Sequence, residues 1–174
     1  TWGTVQRIYD TVLMATRMYD PYRPVIDSSG WKHGDDTDIY DVHDYTQEPE
    51  AFRALFEEMK TDPGKAYINN PGSDAPYRGQ PYWVSEFGGT WWNADAGENG
   101  WGYGKAPASA EEFYKRYEGL VGALLDHPGM FGFCYTQLTD VFQEKNGIYT
   151  FDRQCKFDMR RIREITSRKA AVEN

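Results

Sequence analysis

The sequence predicts an α/β fold built on parallel strands, a partial (β/α)8 barrel of roughly half its strands with their helices. Three observations lead there. Four short β-prone runs alternate with helical periodicities, the pattern that joins parallel strands through helical crossovers. The long polar loops come after the strands, which in such a barrel is the catalytic face. The chain has 174 residues, whereas a complete barrel needs about 250. It therefore reads as a single domain, 1–174, that is a piece of a larger one.

Each element has its own justification. From Thr4 to Tyr19, Val5, Ile8, Val12 and Tyr19 recur at a helical period, with Tyr9 and Leu13 beside them. Asp20-Pro21 ends that helix, because the residue before proline is pushed out of the α region. Arg23 to Asp27 reads as a short strand ending in a carboxylate, followed by the loop Ser28-Ser29-Gly30-Trp31. Ile39 to Tyr45 is a second strand with polar groups at its end. Pro49 suits the first turn of a helix running to Lys60, with Phe52, Leu55, Phe56 and Met59 on one face. A polar loop from Thr61 to Gly79 leads to a strand at Tyr82 to Glu86, and a Gly/Trp/Asn loop spans Gly88 to Pro107. Ser109, with Glu112 three residues on, is a capping box that opens a helix to about Asp126. Phe113, Tyr117, Leu120, Val121 and Leu124 form its apolar face, and Pro128-Gly129 stops it. Met130 to Tyr135 is the fourth strand, and Phe157 to Lys169 the last helix.

Composition excludes several classes. The net charge is −8 with no Lys/Arg-rich run, which argues against nucleic acid or an anionic membrane as partner. No segment approaches the length of a transmembrane helix, and the amino terminus lacks signal-peptide architecture. The chain begins without Met and reads as cut from a longer one, so its compartment is left open. Cys134 and Cys155 are too few and too poorly spaced for a disulfide framework or zinc site, and three scattered His make a metal role unexpected. Aromatic residues reach 16 %, more than a core of this size needs, so some are expected to line a surface or pocket.

The chemistry concentrates in Pro81-Tyr82-Trp83-Val84-Ser85-Glu86-Phe87-Gly88-Gly89-Thr90-Trp91-Trp92. A β-prone run carries one carboxylate at its end, then two glycines that permit a sharp turn, then two indoles of the kind on which sugars stack. A carboxylate at a strand tip, facing aromatics across a turn, is how a glycosidase presents its nucleophile. The alternative is an ordinary strand-end ion pair.

Val84-Ser85-Glu86-Phe87-Gly88-Gly89 resembles the seventh-strand nucleophile motif of glycoside hydrolase family 2, which contains β-galactosidases, β-glucuronidases and β-mannosidases. Gly132-Phe133-Cys134-Tyr135-Thr136-Gln137-Leu138-Thr139-Asp140-Val141, continuing through 146–153, is similar to the family's eighth strand and the loop after it. Asp41-Val42-His43-Asp44-Tyr45 resembles the sixth strand and Pro24 to Trp31 the fifth. Thr1-Trp2-Gly3 resembles the residues just after the fourth-strand Asn-Glu pair, where the family keeps its general acid/base. The resemblance covers nearly the whole chain. It implies a retaining β-glycosidase with Glu86 as nucleophile, an acid/base just upstream of Thr1, β-sandwich domains further upstream, and little turnover by these residues alone. A β-glycoside is the implied partner. No cofactor is implied as required, although some members hold a sodium or magnesium ion near the site.

The same resemblance implies the supporting roles. His43 and Tyr45 would orient Glu86; the alternative is a satisfied strand end. Tyr135 stands where the family more often has Trp as the floor under the sugar. Trp91 and Trp92 are candidate pocket contacts, unless one packs under its own loop, and Asp27, Trp31 and Asp140 are candidate hydroxyl or ring contacts. Trp101 and Tyr103 could wall a subsite. His33 and His127 read as solvated loop and helix-end residues, and Glu98 and Glu144 as exposed charge. β-Glucuronidases of the family place Asn-x-Lys just before Gly-Ile-(aromatic)-Thr, whereas here Glu144-Lys145-Asn146 precede Gly147. A neutral hexoside is expected on that ground, with β-galactoside first by family frequency. Two readings compete: a non-catalytic carbohydrate-binding module, and a structural piece whose exposed half-barrel edges pair with a second copy.

Overall fold

The computed structural model describes residues 2–30, 32–93 and 100–174. Helix α1 (Trp2–Tyr19) leads through an irregular stretch to strand β1 (Tyr40–Asp44) and helix α2 (Pro49–Ala54). Two 3-10 turns, Glu58–Lys60 and Pro63–Lys65, precede strand β2 (Tyr82–Gly88). Helix α3 (Ala110–Leu125), strand β3 (Met130–Thr136) and helix α4 (Met159–Thr166) complete the order. The three strands form one open parallel sheet, β1-β2-β3. Among the described residues no helix is long and apolar enough to cross a membrane.

One face of the sheet is closed by α2 and α3. Tyr40, Val42, Tyr82, Val84 and Phe87 meet Phe52, Phe56, Phe113, Leu120, Val121 and Leu124 there, all essentially inaccessible to solvent. The helices approach closely because Gly119 has no side chain: a Cβ there would stand 2.6 Å from Pro49 Cγ. Ser109 caps α3 as its sequence implies, accepting from Glu112 N at 3.2 Å. Phe157, just ahead of α4, stacks on Phe113 with centroids 3.9 Å apart. Much of the aromatic excess that the sequence assigned to a surface is therefore core.

The opposite face is set by a bulge. Val84 and Phe87 are both fully buried although three residues apart, which strict alternation forbids. The β1–β2 register jumps between Val42/Val84 and His43/Glu86. That extra residue lets Ser85 and Glu86 lie together on the face away from the helices.

Three expectations need correction. Arg23–Asp27 is not a strand. Pro24 has no N–H to donate, and the edge of β1 it would pair with is occupied by side chains. His33 Nε2 lies 2.7 Å from Asp41 O, and Asn69 exchanges hydrogen bonds with His43 N and O at 2.9 and 2.7 Å. Residues 23–27 instead lie beside 37–38, with Asp38 N donating to Val25 O at 3.0 Å and Val25 N to Asp38 Oδ2 at 2.9 Å. The sheet thus has three strands where four were expected. Of the apolar face expected of α1, Leu13 is buried while Ile8, Val12 and Tyr19 are 55, 59 and 92 % exposed; the side chain of Val5 lies outside the described set. The helix expected from Pro49 to Lys60 also tightens to 3-10 bonding after Ala54.

Candidate active site

Glu86 sits at the bulge near the C-terminal end of β2, flanked by the ends of β1 and β3. The Tyr45 phenol, just past β1, donates a short hydrogen bond to Glu86 Oε2. Thr136 Oγ1, the tip of β3, lies 3.5 Å from the same oxygen and His43 Nδ1 3.8 Å. All three of these contacts, made by described residues, converge on Oε2. The side chain is 41 % exposed. Oε2 is thus held, and the carboxylate as a whole remains partly accessible to solvent. Burial, reinforced by hydrogen bonds to Glu86 and Tyr103, pushes the Tyr45 phenol well above the ordinary tyrosine value, so it remains a donor at neutral pH.

An aromatic wall extends from this pair. Tyr103 stacks on Tyr45 with centroids 3.6 Å apart and planes 7° apart, and Trp101, 45 % exposed, meets Tyr103 edge-on at 5.8 Å. The turn between Glu86 and this wall needs its glycines. Gly88 and Gly89 have φ of +75° and +59°, and a Cβ on Gly88 would lie 2.4 Å from the Tyr135 ring.

Beneath the carboxylate lies a buried ionic cluster that the sequence did not announce. His33, expected to be solvated, is 2 % exposed. Its Nδ1 lies 2.6 Å from Asp27 Oδ1, and its Nε2 3.3 Å from Asp41 Oδ1. Asp27 also accepts from Gly34 N at 2.5 Å and Ser28 N at 2.8 Å, and Asp41 from Ser29 Oγ at 2.9 Å and, by a short bond, from Ser85 Oγ. Burial alone would lower the His33 pKa, but hydrogen bonds to Asp27 and Asp41 outweigh it and raise the value to about 10. For Asp27 and Asp41 burial raises the pKa, and the His33 hydrogen bond with its companions more than offsets it, leaving both lowered.

The loop of this cluster supports His43. Gly30 adopts φ +58°, and a Cβ there would fall 1.8 Å from His43 Cδ2. Gly30→Ala is expected to displace the imidazole and to cost at least about 1 kcal/mol from the left-handed backbone alone. Urea denaturation together with the His43 ring shifts in NMR would read both effects.

Of the residues singled out in the sequence, Glu86, His43 and Tyr45 come together. Others are placed elsewhere. Trp92 packs against Phe113 and Phe157 at 6.4 and 5.9 Å, on the helix side of the sheet. Tyr135, half-buried, lies edge-to-face with Phe87 and Tyr117 at 5.6 and 5.1 Å, and its hydroxyl accepts from Thr90 N at 3.1 Å, so its ring packs against the core cluster. Asp27 is committed to His33. Asp140 is buried, accepting from Lys156 Nζ at 2.8 Å and Gly147 N at 2.9 Å. Trp91 is half-buried, its backbone close against Gly102. Trp31 and Glu98 lie outside the described residues. His127 is buried against Phe56 O at 3.0 Å, and Glu144 is half-buried, accepting from Asn146 Nδ2 at 3.0 Å. The signal for Thr136 was its place at the end of the fourth β-prone run; nothing local announced Ser85 or His33. Among the described residues, no three or more His, Cys, Asp or Glu side chains converge to hold a metal ion.

No protein-family model matches the chain, and no curated protein sequence matches it. Solved structures do. A β-D-glucuronidase of Dictyoglomus thermophilum matches 94 % of the chain at a TM-score of 0.61 and 19 % identity, the match covering 29 % of that protein. A glycoside hydrolase family 2 β-galacturonidase of Eisenbergiella tayi matches 97 % at 0.62 and 15 % identity, covering 31 % of its length. A Faecalibacterium prausnitzii β-glucuronidase matches 91 % at 0.57 and 18 % identity, covering 28 %. The chain thus spans under a third of these proteins, and over that span it shares the fold of solved β-glucuronidases and of a family 2 β-galacturonidase.

Proposed function

We propose that this chain is the nucleophile-bearing, C-terminal half of the catalytic barrel of a glycoside hydrolase family 2 enzyme, a retaining β-glycosidase. The observation that carries the reading is Glu86, a 41 % exposed carboxylate at the strand ends whose Oε2 meets Tyr45, Thr136 and His43. Oε1 would attack the anomeric carbon, breaking the bond to the leaving oxygen and forming a glycosyl ester. A second carboxylic acid, about 5–5.5 Å away across the scissile bond in retaining enzymes, would protonate that oxygen and then deprotonate the water that releases the sugar. Glu86 alone supplies one of the two carboxyl groups that this mechanism needs, so turnover by these residues on their own is proposed to be low. The uncovered face of α1 is where the rest of the barrel would pack.

The sugar is proposed to be a neutral hexoside, β-galactoside first. Both lysines of the loop after β3 are turned to Asp140, Lys156 at 2.8 Å and Lys145 at 3.9 Å. Glu144 meanwhile takes the Asn146 amide. Lys156 is thereby committed to Asp140 and not free for a sugar carboxylate, which favours a neutral sugar. Exposure to 2-deoxy-2-fluoro-glycosyl fluorides in galacto, gluco, manno, glucurono and galacturono configurations tests both points, because fluoride leaves without a general acid. The expected result is a mass increase of one fluorosugar on the Glu86 peptide with the galacto reagent. Preferential labelling by a uronide would overturn the sugar assignment, and labelling by none would count against the glycosidase reading.

A further inference from the structure

The β1–β2 ladder ends with Asp44 opposite Phe87, one residue short of Tyr45. Backbone pairing therefore does not fix the residue whose phenol meets Glu86. The Gln47 side chain crosses the gap. Its Nε2 donates to Tyr45 O at 2.9 Å and to Gly88 O at 2.5 Å. Its Oε1 accepts from Thr90 Oγ1 at 2.8 Å and Arg116 Nη1 at 3.4 Å. A carboxamide offers two N–H donors and two lone pairs, and all four are used. The amide orientation is forced, since backbone carbonyls only accept and a guanidinium only donates. The same side chain holds the aromatic wall. Arg116 also donates to Lys105 O at 2.8 Å, and a Cβ on Gly104 would lie 2.4 Å from Gln47 Cγ. Tyr103, anchored by donating its N–H to Gly89 O at 2.8 Å, closes over Tyr45.

We infer that Gln47 is a positioning residue: its carboxamide acts as the rung beyond the end of the β1–β2 ladder and holds the Tyr45 phenol against Glu86. The catalytic consequence rests on the reading of Glu86 as nucleophile; the positioning itself does not. Its chemistry separates it from a role in packing. A group that merely fills space can be replaced by methionine, which has similar length and no polar terminus. A group that acts through four hydrogen bonds cannot.

The test is carbon-13 NMR of the chain labelled at tyrosine Cζ, with the Tyr45 resonance assigned through Tyr45→Phe. In the wild type Tyr45 is expected to stay un-ionised well past the ordinary tyrosine value of about 10. In Gln47→Ala and Gln47→Met it is expected to titrate at least about one pH unit lower than in the wild type, while the core phenols of Tyr82 and Tyr117 do not move. Labelling of Glu86 by the fluorosugar should slow about tenfold in both variants. Should the alanine variant not fold, the methionine variant carries the comparison. An unchanged Tyr45 titration in a folded variant, or full rescue by methionine, would overturn the inference. Absence of labelling in the wild type would count against the glycosidase reading, while the titration would still decide the role of Gln47.

Discussion

Replacing Glu86 by Gln is expected to abolish covalent labelling by the fluorosugar, slowing it by at least about a thousandfold, because no other group supplies the attacking oxygen. The fold should survive. A carboxamide oxygen can still accept the Tyr45 and Thr136 donors at Oε2, and the side chain lies on the open face of the sheet rather than in the core. Circular dichroism and the urea midpoint should therefore stay near wild type while the mass adduct disappears. The same variant separates the competing reading, since a carbohydrate-binding module would keep its sugar affinity and never form an adduct. Labelling of Glu86→Gln at the wild-type rate would show that the reagent reacts elsewhere and would remove Glu86 from the mechanism.

The sequence made the helix–strand alternation legible wherever local chemistry repeated a period. The α3 helix is the clearest case: Ser109 and Glu112 mark its start, and its apolar positions are the residues that pack on the sheet. The nucleophile candidate could be singled out in the sequence because a lone carboxylate ends a β-prone run just ahead of two glycines. The illegible part is non-local. The bulge that puts Ser85 beside Glu86 depends on the register of two strands separated by some forty residues. Residues 23–27 look β-prone, yet they lose their pairing edge to the side chains of His33 and Asn69, which arrive from other loops. Trp92 and Tyr135 looked like sugar platforms because aromatic faces serve cores and ligands equally well. Only the partners that cover them, Phe113, Phe157, Phe87 and Tyr117, decide which.

His33→Gln is expected to destabilise the chain by about 3–5 kcal/mol, because it removes a cation paired with two buried carboxylates. The pH dependence gives the prediction its sign. The folded value for His33 is about 10, above the ordinary 6.5. Its contribution is therefore fully present below about pH 6.5 and is lost as the pH rises toward 10. Asp27 and Asp41 are lowered from 3.8, so their contribution is present above that value and is lost on acidification below it. Stability from the cluster should peak between about pH 4 and 6.5 and fall by about 3–5 kcal/mol up to pH 10, since each tenfold change in proton affinity is worth about 1.4 kcal/mol. Urea denaturation of wild type and His33→Gln across that range reads the difference directly, since other groups titrating near pH 10 are common to both. Two parallel curves would sink the argument. The cluster also touches the site at two points, through Ser85 on Asp41 and through Gly30 against the His43 ring. Loss of the imidazolium should therefore loosen the support of Glu86 before the α2–α3 core gives way. Fluorosugar labelling should accordingly fall at a lower pH than the far-ultraviolet dichroism of the helices.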